Sequence, residues 1–427
     1  MYSWKFTGPA SSALSRSAGA GGGLSGGGGG GGGVDSQREP LLLDFDFGVL
    51  TAHRLDGGVA FQTTLTTRSR GPNFEDLFGA RRFAVCHYLD GSPVASLALV
   101  RRDGSRFLTS DVHFGFGAFL TPAGVVLRGA AKGTFIEGEV VHTLPLSPLA
   151  GVLPSGAVPA VDGALKVQWL DARTGVKLRD TAIDGVTMAG PGGERLFATS
   201  RDTLWESTLE RDEALPSPFA SPILLATNAA RQALVGDPQE SRLVVADFAR
   251  GRVDDVVLEA PGLTAMGPHF DLGLALDDEG FVYATFAGRG KLHVLRTRDL
   301  GVTWEPLTQL PGAGVTLVRV VRHADAVLVA GGLGRGPGLV NWTAAQVVHL
   351  ETGSTTELPL GQPQPNLTQV LPAELSADGK RAAWFESSDG GLTLRSFEEG
   401  TGMTTLETRV PAQQDPLGML PRLEWLE

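Results

Sequence analysis

The side chains most able to do chemistry stand in short strand-like runs. FIEGEVVH carries Glu137, Glu139 and His142, and HFD carries His269 and Asp271; both sets have metal-ligand types at strand spacing. Exposed alternation along a sheet accounts for both, so neither is assigned as a metal site. In LLLDFDF, Asp44 and Asp46 fall on the face opposite Phe45 and Phe47. That pair reads as the wet face of a strand rather than a calcium site. Cys86, the sole cysteine, sits in the apolar run RFAVCHYL and reads as a small buried hydrophobe rather than a reactive thiol. One cysteine leaves no intrachain disulfide and no cysteine-based zinc site. GGLGRGPG at Gly331 to Gly338 has glycines at alternate positions, but no helix follows to offer its N-terminus to a phosphate, so it reads as a loop. No catalytic residue, cofactor or metal ligand is assigned on these signals.

Strands must position whatever site exists. From Pro40 onward the chain is a succession of apolar or alternating runs of five to eight residues, such as LLLDFDF, RFAVCHY, LKVQWLD, SRLVVADF, FVYATF and LTLRSF, broken by Gly, Pro, Asp and Asn. Composition agrees: 42% hydrophobic residues can fill a core, and 58 Gly with 26 Pro suit frequent turns rather than helices. Polar turns leading into apolar strands recur at Gly57, Gly104, Gly193, Asp237, Gly280, Asp325 and Gly379. Most of these separations lie in the forties and one is about double, as though a marker near residue 148 had drifted beyond recognition. Such a period matches the roughly 40 to 50 residues of a four-stranded propeller blade. The expected fold is therefore an all-β β-propeller with seven blades preferred and eight allowed by the arithmetic, each marker being the turn into the second strand or its equivalent. The C-terminal GMLPRLEWLE, apolar to its end, is expected to close the ring against an N-terminal strand.

The expected organisation is a Gly/Ser-rich tail over residues 1–39 and a propeller domain over 40–427. Residues 8 to 38 include eight consecutive glycines, Gly26 to Gly33, too little apolar surface to offset the entropy of ordering. Ahead of them Tyr2, Trp4 and Phe6 alternate with polar residues and read as a frayed terminus. Net charge is −11 with scattered Lys and Arg, which argues against a nucleic-acid partner. No run of eighteen apolar residues predicts a membrane-spanning helix, and MYSWKFTGPASSALSRS lacks the apolar stretch of a secretory signal. Asn341-Trp342-Thr343 and Asn366-Leu367-Thr368 fit the glycosylation sequon, which matters only in a eukaryotic secretory setting.

One segment has defined turn chemistry. In Thr297-Arg298-Asp299-Leu300-Gly301-Val302-Thr303-Trp304 a carboxylate can accept hydrogen bonds from the backbone just ahead, Gly301 supplies positive φ, and Trp304 locks the hairpin by burial. The segment resembles the Asp-box, or bacterial neuraminidase repeat, meeting each defined position of Ser/Thr-x-Asp-x-Gly-x-Thr-Trp. The resemblance implies that Asp299 and Thr303 stabilise the turn while Trp304 packs inside a blade. Ser387 to Leu394 is similar but has Leu394 where Trp belongs, and reads as a hairpin and at most a degenerate box. SADGKRAAWF at Ser376 to Phe385 is similar to the WD-like repeats of the periplasmic Tol-system propeller, and LDDEGFVYATF at Leu276 to Phe286 to NHL-type repeats.

Asp-box proteins include sialidases, whose resemblance would imply a tyrosine nucleophile, a carboxylate base, an acid/base Asp and three substrate-clamping arginines. Only Tyr2, Tyr88 and Tyr283 are available, and no Phe/Tyr-Arg-Ile-Pro segment supplies the first arginine. The expected function is thus a non-enzymatic binding or scaffold module, a monomer taking a protein or glycan ligand. The alternative is a sialidase-like glycan hydrolase or lyase. The repeat families point to a periplasmic or extracellular setting.

Overall fold

A computed structural model describes residues 39–69, 75–80, 83–89, 95–112, 115–121, 123–129, 131–237, 242–266, 274–312, 317–323, 326–336, 339–358, 373–376, 380–388, 391–409 and 422–426. Tyr2, Trp4, Phe6 and the glycine run lie outside them, as do His269, Asp271 and Asn366. Every regular element described is a strand, and the strands form nine antiparallel sheets. Eight have four strands; the seventh has five, because both Thr264–Ala265 and Ala275–Leu276 pair with Val282–Gly288. No described helix is long and apolar enough to cross a membrane.

The sheets are the blades of a nine-bladed β-propeller. We number them by their second strands, which begin at residues 41, 83, 124, 157, 195, 232, 282, 326 and 381. Blade 1 is made from both ends of the chain: Arg422–Leu426 is its first strand and pairs antiparallel with Leu41–Asp46, so that Leu42 faces Trp425 in register. The expected closure by the C-terminal segment is realised. First strands of adjacent blades also meet, as Arg422–Leu426 does with Glu75–Ala80 and with Ala373–Leu375. Gly79 permits one of these approaches, since a Cβ there would collide with the Trp425 carbonyl.

Strand alternation explains the ring. Leu41, Leu43 and Phe45 point toward blade 2, where they join Leu77, Cys86 and Tyr88, whereas Leu42 points toward blade 9 and joins Phe385, Leu394 and Leu406. Each middle strand is thus apolar on both faces, because each blade is sandwiched between two others. An apolar cluster of this kind fills every junction from blade 1 round to blade 9 and back.

Nine blades replace the seven or eight expected, and the turns explain the miscount. Gly57 and Gly104 lie between third and fourth strands, Gly193 and Gly280 between first and second, and Asp237 ends a second strand. These positions are not equivalent, so their spacing was no blade length; Asp325 and Gly379 lie outside the described residues. The double gap holds two whole blades, 3 and 4, whose turns into the second strand use Gly124 (φ 152°) and Gly156 (φ 83°). Second strands follow one another at intervals of 33 to 55 residues. GGLGRGPG is corrected too: Gly331 to Gly336 complete the eleven-residue strand Ala326–Gly336, which pairs with Leu339–His349.

Candidate functional site

The segment at Thr297 to Trp304 joins the strands Lys291–Thr297 and Glu305–Pro311 of blade 7. The buried Thr297 hydroxyl donates to Asp299 Oδ1 (2.8 Å) and accepts from the Gly301 amide (2.9 Å). Asp299 Oδ1 also accepts from the Thr303 amide (2.9 Å), and Oδ2 from the Thr303 hydroxyl (2.7 Å). Leu300 and Gly301 both have positive φ, 59° and 89°. Gly301 lies so close to Val257, just past the outer strand of blade 6, that a Cβ would strike its carbonyl. Val257 N donates to Leu300 O (2.8 Å), and Trp304 Nε1 donates to Val257 O (3.1 Å). The indole packs edge-on against Phe286 with ring centroids 5.1 Å apart. Trp304 is only partly buried, so it lies across the junction of blades 6 and 7 rather than inside a blade.

The Thr303 amide, then the Thr303 and Thr297 hydroxyls, hold the Asp299 carboxyl below its ordinary value of 3.8. A lowered folded-state pKa contributes stability above the ordinary aspartate range and loses it as pH falls through the folded value. Asp299→Asn is therefore expected to lower the unfolding midpoint at pH 7 and to differ less from the parent as pH falls through and below the ordinary aspartate range. Paired urea titrations across this range check it; a difference that does not change with pH would exclude an ionised clasp.

A second cluster escaped sequence analysis. His53, on the third strand of blade 1, directs Nε2 to within 3.6 Å of Asp44 Oδ2 on the adjacent strand and 3.6 Å of Glu407 Oε2 on the outer strand of blade 9. Single ligand atoms from the three residues all lie within 4.8 Å of one another. Asp44 and His53 are buried, at 1% and 0% exposure, which corrects the wet-face reading of Asp44: the face opposite Phe45 packs on blade 9 instead of meeting water. The only sequence signal was an Asp inside a run of buried residues followed by a His one hairpin later. Glu407 comes from the far end of the chain and no local pattern announces it.

The third feature is a cleft of about 710 Å³ between the third-to-fourth-strand turn of blade 2 and the Gly138 turn of blade 3. Phe83 and Phe107 meet edge to face at 5.7 Å, and the Arg101 guanidinium lies 4.5 Å over the Phe107 ring. Arg101 Nε donates to Glu139 Oε1 at 2.7 Å. Arg102 donates to the carbonyls of Leu426 (3.1 Å) and Glu39, joining this turn to both ends of blade 1. Asp103 lines the mouth and its Oδ1 accepts from the Ser105 amide at 2.8 Å.

Among known proteins, the sequence matches no family profile and no curated relative. Many solved structures share the fold. A eukaryotic initiation factor aligns over 91% of this chain and 98% of its own, with a TM-score of 0.57 and 9% identity. The dihydro-heme d1 dehydrogenase NirN in complex with DHE aligns over 89% and 75%, with a TM-score of 0.47 and 14% identity. The WD40 repeats of RRP9 align over 61% and 83%, with a TM-score of 0.38 and 12% identity. At such identities the likeness is one of fold.

The remaining candidates go elsewhere. Arg173 forks onto Glu137 at 2.6 and 2.7 Å and holds its carboxyl below the usual range, while Glu139 turns to Arg101. His142 stacks on Phe135 with Nε2 3.9 Å from Glu137, so these residues brace blades 2, 3 and 4 rather than converge on one point. Tyr88 is buried against Phe45, and Tyr283, also buried, donates to Asp277 Oδ2 at 2.7 Å. Neither hydroxyl is placed to attack a substrate, and Tyr2 lies outside the described residues. Cys86 is fully buried. Arg381–Ser388 and Gly391–Glu398 pair as a hairpin; Asp389 and Gly390 lie outside the described residues.

Proposed function

We propose that the ring is a binding or scaffold module that receives a protein or glycan ligand in the cleft between blades 2 and 3. The cleft carries this reading: its volume suits a small ligand or an anchoring side chain, and it sets an aromatic ring among Arg101, Arg102, Asp103 and Glu139. A sugar offers an apolar ring face and hydroxyls, matching Phe107 and these charged groups; a peptide anchor uses the same pair of features. Residues 1–39 serve as a tether, and the Thr297 hairpin is an Asp-box clasp with a structural role. The WD-like and NHL-like resemblances fit a module of this kind. The sialidase-like alternative needs an accessible tyrosine, and burial of Tyr88 and Tyr283 weighs against it.

The full chain is expected to bind on a glycan array, or to crosslink to a protein partner through a photoreactive residue at position 139. Phe107→Ala should reduce either signal more than about tenfold, the effect of losing one hot-spot contact, with an unchanged circular dichroism spectrum. Binding that survives Phe107→Ala intact would place the ligand elsewhere on the ring.

A further inference from the structure

We propose that Asp44, His53 and Glu407 form a site for one divalent transition-metal ion of the zinc class, fastening the seam where blade 9 meets blade 1. The inference is independent of the ligand cleft. His53 is fully buried, yet neither of its ring nitrogens has a hydrogen-bond partner. Burying an imidazole without such a partner is costly, and native interiors seldom leave one so. A protonated His53 donating to the carboxylates would approach to about 2.7–2.9 Å, but Nε2 stands 3.6 Å from each oxygen. That separation is what a shared ion produces: with metal–ligand bonds of about 2.0–2.2 Å, tetrahedral ligands lie roughly 3.4 Å apart.

The donor set selects the ion. One imidazole nitrogen with two carboxylate oxygens suits zinc and its transition-metal neighbours, whereas calcium and magnesium prefer all-oxygen sites. Surroundings favour binding as well. Leu42 shares the strand face of Asp44 and stands opposite His53 in register, and it packs with Phe385, Leu406 and Trp425 into a dry seam that strengthens charge interactions. Glu407 is the open side, its side chain 36% exposed, giving an entry path and room for water as a further ligand. Three ligands from two blades, one of them closed by the C-terminal strand, would make the ion a cross-link of the ring.

The test uses the full chain stripped with a chelator and titrated with Zn²⁺ against a chromophoric competitor, then with Co²⁺ to read its visible absorption. One equivalent of Zn²⁺ is expected, with Co²⁺ bands of low-coordinate N/O type and a raised melting temperature. Glu407→Gln alters the exposed rim and leaves the buried pair in place; His53→Gln keeps the volume of the ring site. Each should weaken Zn²⁺ affinity by more than about tenfold, the loss that even an outer-shell change causes. A folded parent that takes up no Zn²⁺, or an affinity unchanged in Glu407→Gln, overturns the site.

Discussion

Removal of Arg422–Leu426 is expected to abolish the closed ring. This strand supplies the first strand of blade 1, and its loss leaves Leu41–Asp46 with an unpaired edge. It also withdraws Leu423, Trp425 and Leu426, all buried, from the seams on either side. At about 1.5–3 kcal/mol for each buried apolar side chain, these three account for roughly 5–9 kcal/mol. That is comparable with the whole net stability of a typical domain, about 5–15 kcal/mol. Size-exclusion chromatography should therefore show aggregates or an expanded species, and the cooperative thermal transition should disappear. A truncated chain that elutes and melts like its parent would mean that blade 1 does not depend on the strand.

Trp169→Ala is expected to cost about 3–5 kcal/mol, the range for emptying a fully buried aromatic site. Trp169 is 0% exposed, within the cluster joining blades 4 and 5. Its Nε1 donates to Ser207 Oγ (2.9 Å), which donates to Asp212 Oδ1 (2.6 Å), and Arg179 donates to both residues. Alanine would open a cavity and also remove a donor from this network. Trp169→Phe separates the effects: it keeps most of the volume and should cost about 1–2 kcal/mol for the lost hydrogen bond and the slightly smaller ring. Urea denaturation measures both, and equal losses in the two variants would show that packing is not the larger component.

Much of the fold was legible because its determinants are local. Strand runs such as RFAVCHY and SRLVVADF announce themselves by composition, and both are strands with buried side chains. The Thr297 hairpin was legible for the same reason: the hydrogen bonds within it span at most four residues. Its other half was not, because Val257 is reached only when blade 6 stands beside blade 7. Blade number failed because Gly124 and Gly156 sit in short PAG and PSG turns unlike the charged turns used as markers. Asp44 departs from the pattern of one wet face per strand, which holds for open antiparallel sheets and fails where blades stack on both sides. The Asp44–His53–Glu407 cluster depends on closure of the whole ring, information that no window of sequence contains.

Building blade 1 from both ends of the chain also dictates an order of events during synthesis. Blades 2 to 9 each draw on one continuous stretch and can assemble as they leave the ribosome. The strand Leu41–Asp46, made early, must wait with one edge open until Arg422–Leu426 emerges. Until then the ring is unclosed, and the edge that Arg422–Leu426 covers is the one left open.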